Sequence, residues 1–275
     1  MAGVDQGFDL EGEATPIREL LRDLWRSRPL IRMLAKKEFF VKYRRATFGM
    51  VWAACLPLFQ ATVLALVFSR VVRVETDEPY AVFVFPAYAA WSFFSATLPG
   101  ASTAIVDNSA LSNKIYFPRA VLPLSTVLAA MYGFVFTMVA LLGVCIAFGE
   151  YPDLETLLLV PGVFLLVLLT SGLALLISGL HVYFRDMRFF LQAALSVWLF
   201  VTPVLYPLDQ ASGAMEVAIR ANPMTGVAEL FRAAVTGGDP GWGSTVVVTT
   251  AWVVVTLVAA LLVHRRYNRV FSDLL

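Results

Sequence analysis

Charge is scarce in this 275-residue chain: 15% of its residues are Asp, Glu, Lys or Arg, while 59% are hydrophobic and the mean hydropathy is +0.74. So apolar a composition excludes an ordinary soluble domain and marks an integral membrane protein. The formal net charge of +1 leaves no basic field to hold a nucleic acid. Lysine occurs only at Lys36, Lys37, Lys42 and Lys114, never after a glycine, so the Gly-Lys-Ser/Thr core of a phosphate-binding loop is missing. No ATPase of its own is therefore expected on this chain. The two cysteines, Cys55 and Cys145, fall inside apolar runs and read as small buried hydrophobes, not as a disulfide or metal pair. The two histidines, His181 and His264, stand at predicted helix ends with no ligand pattern of Cys, Asp or Glu beside them, so no metal is expected. Ionisable residues are almost absent from the apolar interiors, which disfavours proton-coupled transport. Residues 1–29 lack the apolar core and cleavage site of a signal peptide, so a cytoplasmic N-terminus is expected.

What the chain has in abundance is long apolar runs. A spanning helix needs about 20 apolar residues, and six such runs are present: 47–69, 80–105, 120–148, 155–180, 188–207 and 244–264. Six spans put both termini on one side. With the N-terminus inside, Lys36, Lys37, Lys42, Arg44, Arg45, Lys114, Arg119, Arg185, Arg188, Arg265, Arg266 and Arg269 all flank inner ends, and only Arg70, Arg73, Arg220 and Arg232 fall outside. The outer loops collect acids instead, among them Glu75, Asp77, Glu78, Glu150, Asp153 and Glu155. The positive-inside rule thus predicts cytoplasmic termini. The expected organisation is an N-terminal cytoplasmic region over 1–46, a six-span domain over 47–264 and a cytoplasmic tail over 265–275.

Three shorter segments interrupt this pattern. In TPIRELLRDLWRS, Thr15 is a predicted N-cap and Pro16 a first helical residue, and Ile17, Leu20, Leu21 and Leu24 recur at helical spacing. With Leu30, Ile31 and Leu34 following, this predicts an amphipathic helix on the inner leaflet, anchored by lysines and arginines; packing on a partner is the alternative. Residues 208–243 carry NPMTGVAELFRAAV, too short and charged to span, whose Val227, Leu230, Phe231 and Val235 share one face. An interfacial or re-entrant helix fits it. The stretch DNSALSNKIYFPR, residues 107–119, is polar and lies between two spans. Pro118 pushes Phe117 out of the helical region and ends its short helix. Such a helix facing the cytoplasm suits a mechanical contact, and a plain turn between spans is the alternative.

Four blocks of residues give these segments a common explanation. They are KYRRATFGMVWAACLPL, with Tyr43, Arg44, Arg45, Gly49, Trp52 and Pro57; AYAAWSFFS followed by Asn108, Leu111, Lys114, Phe117, Pro118, Arg119 and Pro123; VYFRDMR, with Arg185 and Asp186; and TPVLYP followed by NPM, Phe231 and Arg232. In that order and at those places the chain resembles the permease subunits of ABC-2 type exporters, in particular the branch that exports O-antigen, teichoic acid and related lipid-linked polymers. Ala46 stands where that family often has serine, and Ala87 and Ala90 where a glycine is common.

The resemblance implies an all-α, six-span fold of the ABC-2 (type V exporter) kind, working as a homodimer on two copies of a separate ATP-binding subunit. ATP and Mg would sit on that partner, with no cofactor on this chain. Residues 107–117 would be the coupling helix, with Asn108, Leu111, Asn113, Lys114, Phe117 and Arg119 at the ATPase contact. Arg185 and Asp186 would add a second contact, steadied by a local ion pair or capping bond.

The substrate path reads as aromatic. Phe48, Trp52, Phe59 and Thr62 share a stripe of the first span, Trp91 and Phe94 lie in the second, and Trp198, Thr202 and Tyr206 form an i, i+4, i+8 row on the fifth. Rings pack on the apolar faces of sugars while indole and hydroxyl groups bond the rim. Trp52 and Tyr206, near span ends, fit a bilayer-interface belt equally well. Arg44 and Arg45 suit a pyrophosphate-linked lipid head at the inner mouth, and suit ordinary anchoring to membrane lipids as readily. Few lysines beside many arginines point to a GC-rich bacterium, hence its inner membrane. Export of a small lipid or drug remains an alternative, as does a multispan glycosyl- or acyltransferase, although no acid, histidine or serine cluster supports the latter.

Overall fold

The computed structural model describes residues 17–44, 46–76, 78–112 and 117–267, and these are helical with irregular connections and no strand. The first helix, α1 (Ile17–Arg26), is followed at once by α2 (Arg28–Tyr43). Pro29 sits in the first turn of α2, where its missing N–H costs nothing, and it starts a new helix there rather than extending α1. The predicted cap at Thr15 and Pro16 lies outside the described residues. Leu24, Leu30, Ile31 and Leu34 pack against Phe117, Val121 and Leu122, so one face of the amphipathic segment covers an end of the bundle. Ile17, Leu21 and Trp25 form an exposed row on its other side.

Five helices are long and apolar enough to cross a membrane: Gly49–Val72, Tyr80–Asp107, Val121–Ala147, Glu155–Tyr183 and Thr245–Arg265. Their main bodies are α3 (Trp52–Val67), α4 (Tyr80–Asp107), α6 (Val121–Ala147), α7 (Leu159–Tyr183) and α11 (Thr245–Tyr267), with the four-residue α5 (Ser109–Ser112) between α4 and α6. α4 is the hub of the bundle, packed against α6, α7, α3 and a later helix, while α7 packs along α11. Apolar mass alone does not drive such packing in lipid, so close fit does. Phe93 meets Phe134 at 4.9 Å, and Gly172 leaves no room for a Cβ beside Thr256. The end of the bundle bearing Arg119, Arg185 and Arg188 is here termed the basic end.

The expected fifth span, 188–207, is not one continuous helix. The helix there, α8 (Met187–Val201), has 15 residues, about 22 Å at 1.5 Å per residue, short of a hydrocarbon core about 30 Å thick. Pro203 cannot continue the hydrogen-bond ladder, and Thr202 has extended dihedrals. The i, i+4, i+8 row from Trp198 through Thr202 to Tyr206 is therefore cut, and Thr202 is fully buried.

Residues 208–243 carry two short helices, too short to span, where one interfacial or re-entrant helix was expected. α9 (Gly213–Ala221) and α10 (Thr225–Thr236) make a helical hairpin with Asn222, Pro223 and Met224 at its tip. Trp252 Nε1 donates to Ala221 O at 2.9 Å. Trp252 lies seven residues into α11, so the tip reaches about 10 Å below that helix's start. Val227, Leu230 and Phe231 are fully buried, as their shared face predicts. Gly226 permits the close approach of α10 to α11: a Cβ there would lie 2.5 Å from Thr245 O.

Candidate functional site

At the basic end, two segments far apart in sequence meet. Asn108 ends α4, its Nδ2 donating to Ala104 O at 2.9 Å, and Leu111 N donates to Asn108 O to open α5. The other segment is the turn after Tyr183, which leads through Arg185 and Asp186 into α8. Between them lies a cleft of about 440 Å³ whose walls include Thr103, Asp107, Ser109, His181, Arg185 and Arg188. The predicted coupling helix and the VYFRDMR turn thus form one surface. Phe189, also exposed, is among its lining residues.

The residues assigned to this contact divide into two groups. Asn108, Arg185 and Asp186 are exposed. Phe117 and Arg119 are buried, with the Arg119 guanidinium 5.7 Å from the Phe117 ring, and Leu111 packs on the same small core. Phe117 and the half-buried Leu111 thus pack the turn against α1 and α2. Asn113 and Lys114 lie outside the described residues. The expected ion pair or capping bond of Arg185 and Asp186 is corrected: among the described residues the ion pairs within 4 Å are Arg220–Glu216 and Arg232–Glu229, and Asp186 makes no side-chain cap bond. Adjacent residues on a helical turn point apart.

A second feature lies where α2 turns into α3. Gly49 adopts φ +53°, a left-handed conformation that glycine takes without strain. Lys37, Tyr43, Arg44 and Gly49 line an open cleft of about 450 Å³ there, while Arg45 lies outside the described residues. An adjoining cleft of about 200 Å³ is walled by α2, α3, α4 and α6. At its edge Thr126 Oγ1 donates to Glu38 Oε2 at 3.2 Å. Glu38 sits at an exposed position of α2, yet its carboxyl leans into this cleft. Desolvation there raises its pKa above the ordinary glutamate value, against smaller lowering effects from Thr126 and Lys42.

The aromatic path is only partly open to a substrate. Phe59 is 67% exposed and Trp52 43% exposed, on a face of α3 left uncovered among the described residues. Trp91 and Phe94 are core residues instead, 4% and 0% exposed, because α4 is enclosed by its neighbours. Trp198 stands between these classes, half-buried, with Phe94 edge-on at 5.3 Å. Tyr206 donates from its hydroxyl to Phe200 O at 2.7 Å.

The structure also reveals a polar network that sequence reasoning missed. Past α8, carbonyls of the extended segment are captured by side chains from three elements. Asn222 Nδ2 donates to Val201 O at 3.2 Å, Arg232 donates to Pro203 O at 2.6 Å, and Tyr80 Oη donates to Leu205 O. Arg232 also pairs with Glu229 and lies 3.8 Å from the Phe83 ring. Arg232, read as an outer-loop residue, is therefore a buried guanidinium inside the bundle. The proline pair in TPVLYP was the available signal, since a broken helix frees carbonyls that something must satisfy.

Comparison with known proteins gives a consistent result. The family described as ABC-2 type transporter matches residues 29–236, most of the chain. An O-antigen export system permease protein, RfbA of Myxococcus xanthus, is 30% identical over 216 residues, 78% of this chain and 83% of that protein. The protein of the same name from Klebsiella pneumoniae is 26% identical over 196 residues, 71% of this chain and 75% of its own length. The polysialic acid transport protein KpsM of Escherichia coli is 25% identical over 241 residues, 86% of this chain and 92% of that protein.

Proposed function

The chain belongs to the ABC-2 type transporter family, and from that premise we propose that it is the membrane subunit of an ATP-driven exporter of a lipid-linked cell-surface polysaccharide or polyol-phosphate polymer. It works as a homodimer on two copies of a separate ATPase subunit that carry the ATP and Mg, and it needs no cofactor of its own. The basic end faces the cytoplasm of a bacterial inner membrane, so both termini are cytoplasmic.

The observation that carries this reading is the basic-end cleft. It joins the far ends of α4 and of α7–α8 in one exposed surface, so a partner moving against it displaces the hub helix and the broken helix together. Packed helices transmit such a displacement as rigid bodies. The free face of α3 supplies the second support. Beside Trp52 and Phe59 it exposes Thr62 and, near mid-span, Gln60. A polar amide is expensive against lipid, so this face suits a second copy and a polar path between the two. Its rings pack on sugar faces, and Arg44 at the adjoining mouth suits a phosphate-bearing head. The relatives named for O-antigen and polysialic acid export support a glycan cargo.

The test is co-purification from native membranes. The wild-type chain brings down a stoichiometric P-loop ATPase, and the double reversal R185E/R188E lowers its recovery at least five-fold at equal amounts of folded chain. Recovery of the wild-type chain alone, or with biosynthetic enzymes and no ATPase, contradicts the proposal.

A further inference from the structure

We infer that Asn222 is a positioning residue of the transport path: it ties the tip of the α9–α10 hairpin to the break after α8 and fixes the Trp198 indole, so that hairpin and broken helix move as one body. The inference deepens the exporter reading and rests on it for the word transport. The tie itself stands on geometry alone.

Every hydrogen-bonding direction of the Asn222 amide is used. Its Oδ1 accepts from Trp198 Nε1 at 2.8 Å and from Met224 N at 3.0 Å. Its Nδ2 donates to Val201 O at 3.2 Å and to Thr202 Oγ1 at 2.8 Å. Two acceptor sites and two donors on one short side chain are what a primary amide supplies and a carboxylate does not. The backbone suits this role, because Asn222 precedes Pro223 and is extended, at φ −73° and ψ 128°, as a residue before proline prefers. The tip is held from behind as well, since Thr249 Oγ1 donates to Pro223 O at 2.8 Å and Trp252 Nε1 to Ala221 O.

A proline-broken helix invites the reading of a hinge. Here the environment opposes it, because Thr202 to Leu205 are buried and the carbonyls of Val201, Pro203 and Leu205 each have a captor. At membrane depth, losing one captor leaves a carbonyl with no water to replace it. The segment therefore follows its captors rather than flexing away from them. Trp198 is the path residue through which this matters, since the indole that Asn222 holds also meets Phe94 of the hub helix.

The test uses the complete complex with its ATPase partner in proteoliposomes, comparing wild type, N222A, N222D and W198F. Two quantities are read: amide hydrogen exchange at Thr202, Val204, Leu205 and Tyr206, and glycan exported per ATP hydrolysed. N222A is expected to raise exchange at those amides at least ten-fold and to lower export per ATP at least five-fold. N222D, which keeps the acceptors and loses the donors, falls between N222A and wild type in both. W198F lowers export per ATP and leaves exchange within two-fold of wild type. Unchanged exchange in N222A overturns the tie. Raised exchange with export and hydrolysis falling in equal proportion overturns the positioning role and leaves a merely structural one. A wild-type complex that exports nothing with ATP sinks the exporter reading, and the exchange result still decides the tie.

Discussion

α3 and α4 are both apolar spans, yet they occupy opposite situations. The most apolar stretch of α3 has the higher mean hydropathy, 2.0 against 1.5, but only 11% of it is buried, against 78% for α4. Hydropathy therefore reports commitment to the membrane and not depth within the protein. In lipid an apolar side chain gains little by leaving the bilayer for a helix interface. What draws α4 to the centre is small residues that admit close neighbours and polar anchors that need partners. Ala87, Ala90 and Ala101 are fully buried, and Tyr80 bonds Leu205 O. α3 has a single cross-helix side-chain tie of that kind to α4, Tyr88 Oη to Gln60 Oε1 at 3.2 Å.

The largest expected effect comes from removing a polar anchor next to α4. Arg232→Ala leaves Glu229 and Pro203 O without their partner and lifts the cation from the Phe83 ring, so unfolding in lipid or detergent should show a loss of about 3–5 kcal/mol. The paired truncations Phe94→Ala and Phe59→Ala sharpen the contrast directly. The first opens a void in the core and should cost on the order of 3 kcal/mol. The second should change the stability of the isolated chain by less than about 0.5 kcal/mol while weakening self-association, as read by in-membrane cross-linking. Equal stability losses would erase the distinction between the two helices. Gly226→Ala tests close approach in the hairpin and should cost roughly 1–3 kcal/mol through overpacking.

The smallest effect concerns Glu38, at the edge of the cleft shared by α2, α3, α4 and α6. Burial raises its pKa in the folded chain, so the folded state binds that proton more tightly than the unfolded state does. Stability from this group is full below the ordinary glutamate pKa and is lost as pH rises from there through the raised folded value. Glu38→Gln should flatten stability across that window and exceed wild type above it. A wild-type profile that rises through the same window would reverse the assignment.

Much of this fold was legible in the sequence. The spans over α3, α4, α6, α7 and α11 follow from apolar length, and helix α10 from four apolar positions on one face, while α9 was not foreseen. α8 was overextended because TPVLYP is as apolar as the helix before it. Only Pro203 and Pro207 argued for an end there, and hydropathy does not register a missing N–H. Of the site, the segments 107–119 and VYFRDMR were legible as two separate connections between spans, while the cleft they share emerges only in the fold. Trp91 and Phe94 were misplaced because an aromatic ring looks the same in a core as in a path. Arg232 was misplaced because a charge reads as exterior until its captors are known, and Phe83 and Pro203 reach it only through tertiary structure.

The most direct measurement is glycan export by this chain reconstituted with a P-loop ATPase recovered in the co-purification test, supplied with a labelled lipid-linked polysaccharide on the side of the basic end. The account predicts ATP-dependent appearance of label on the opposite side, abolished by omitting either protein or by R185E/R188E. Label that crosses without ATP or without the partner, or that never crosses while the partner hydrolyses ATP at full rate, would contradict it.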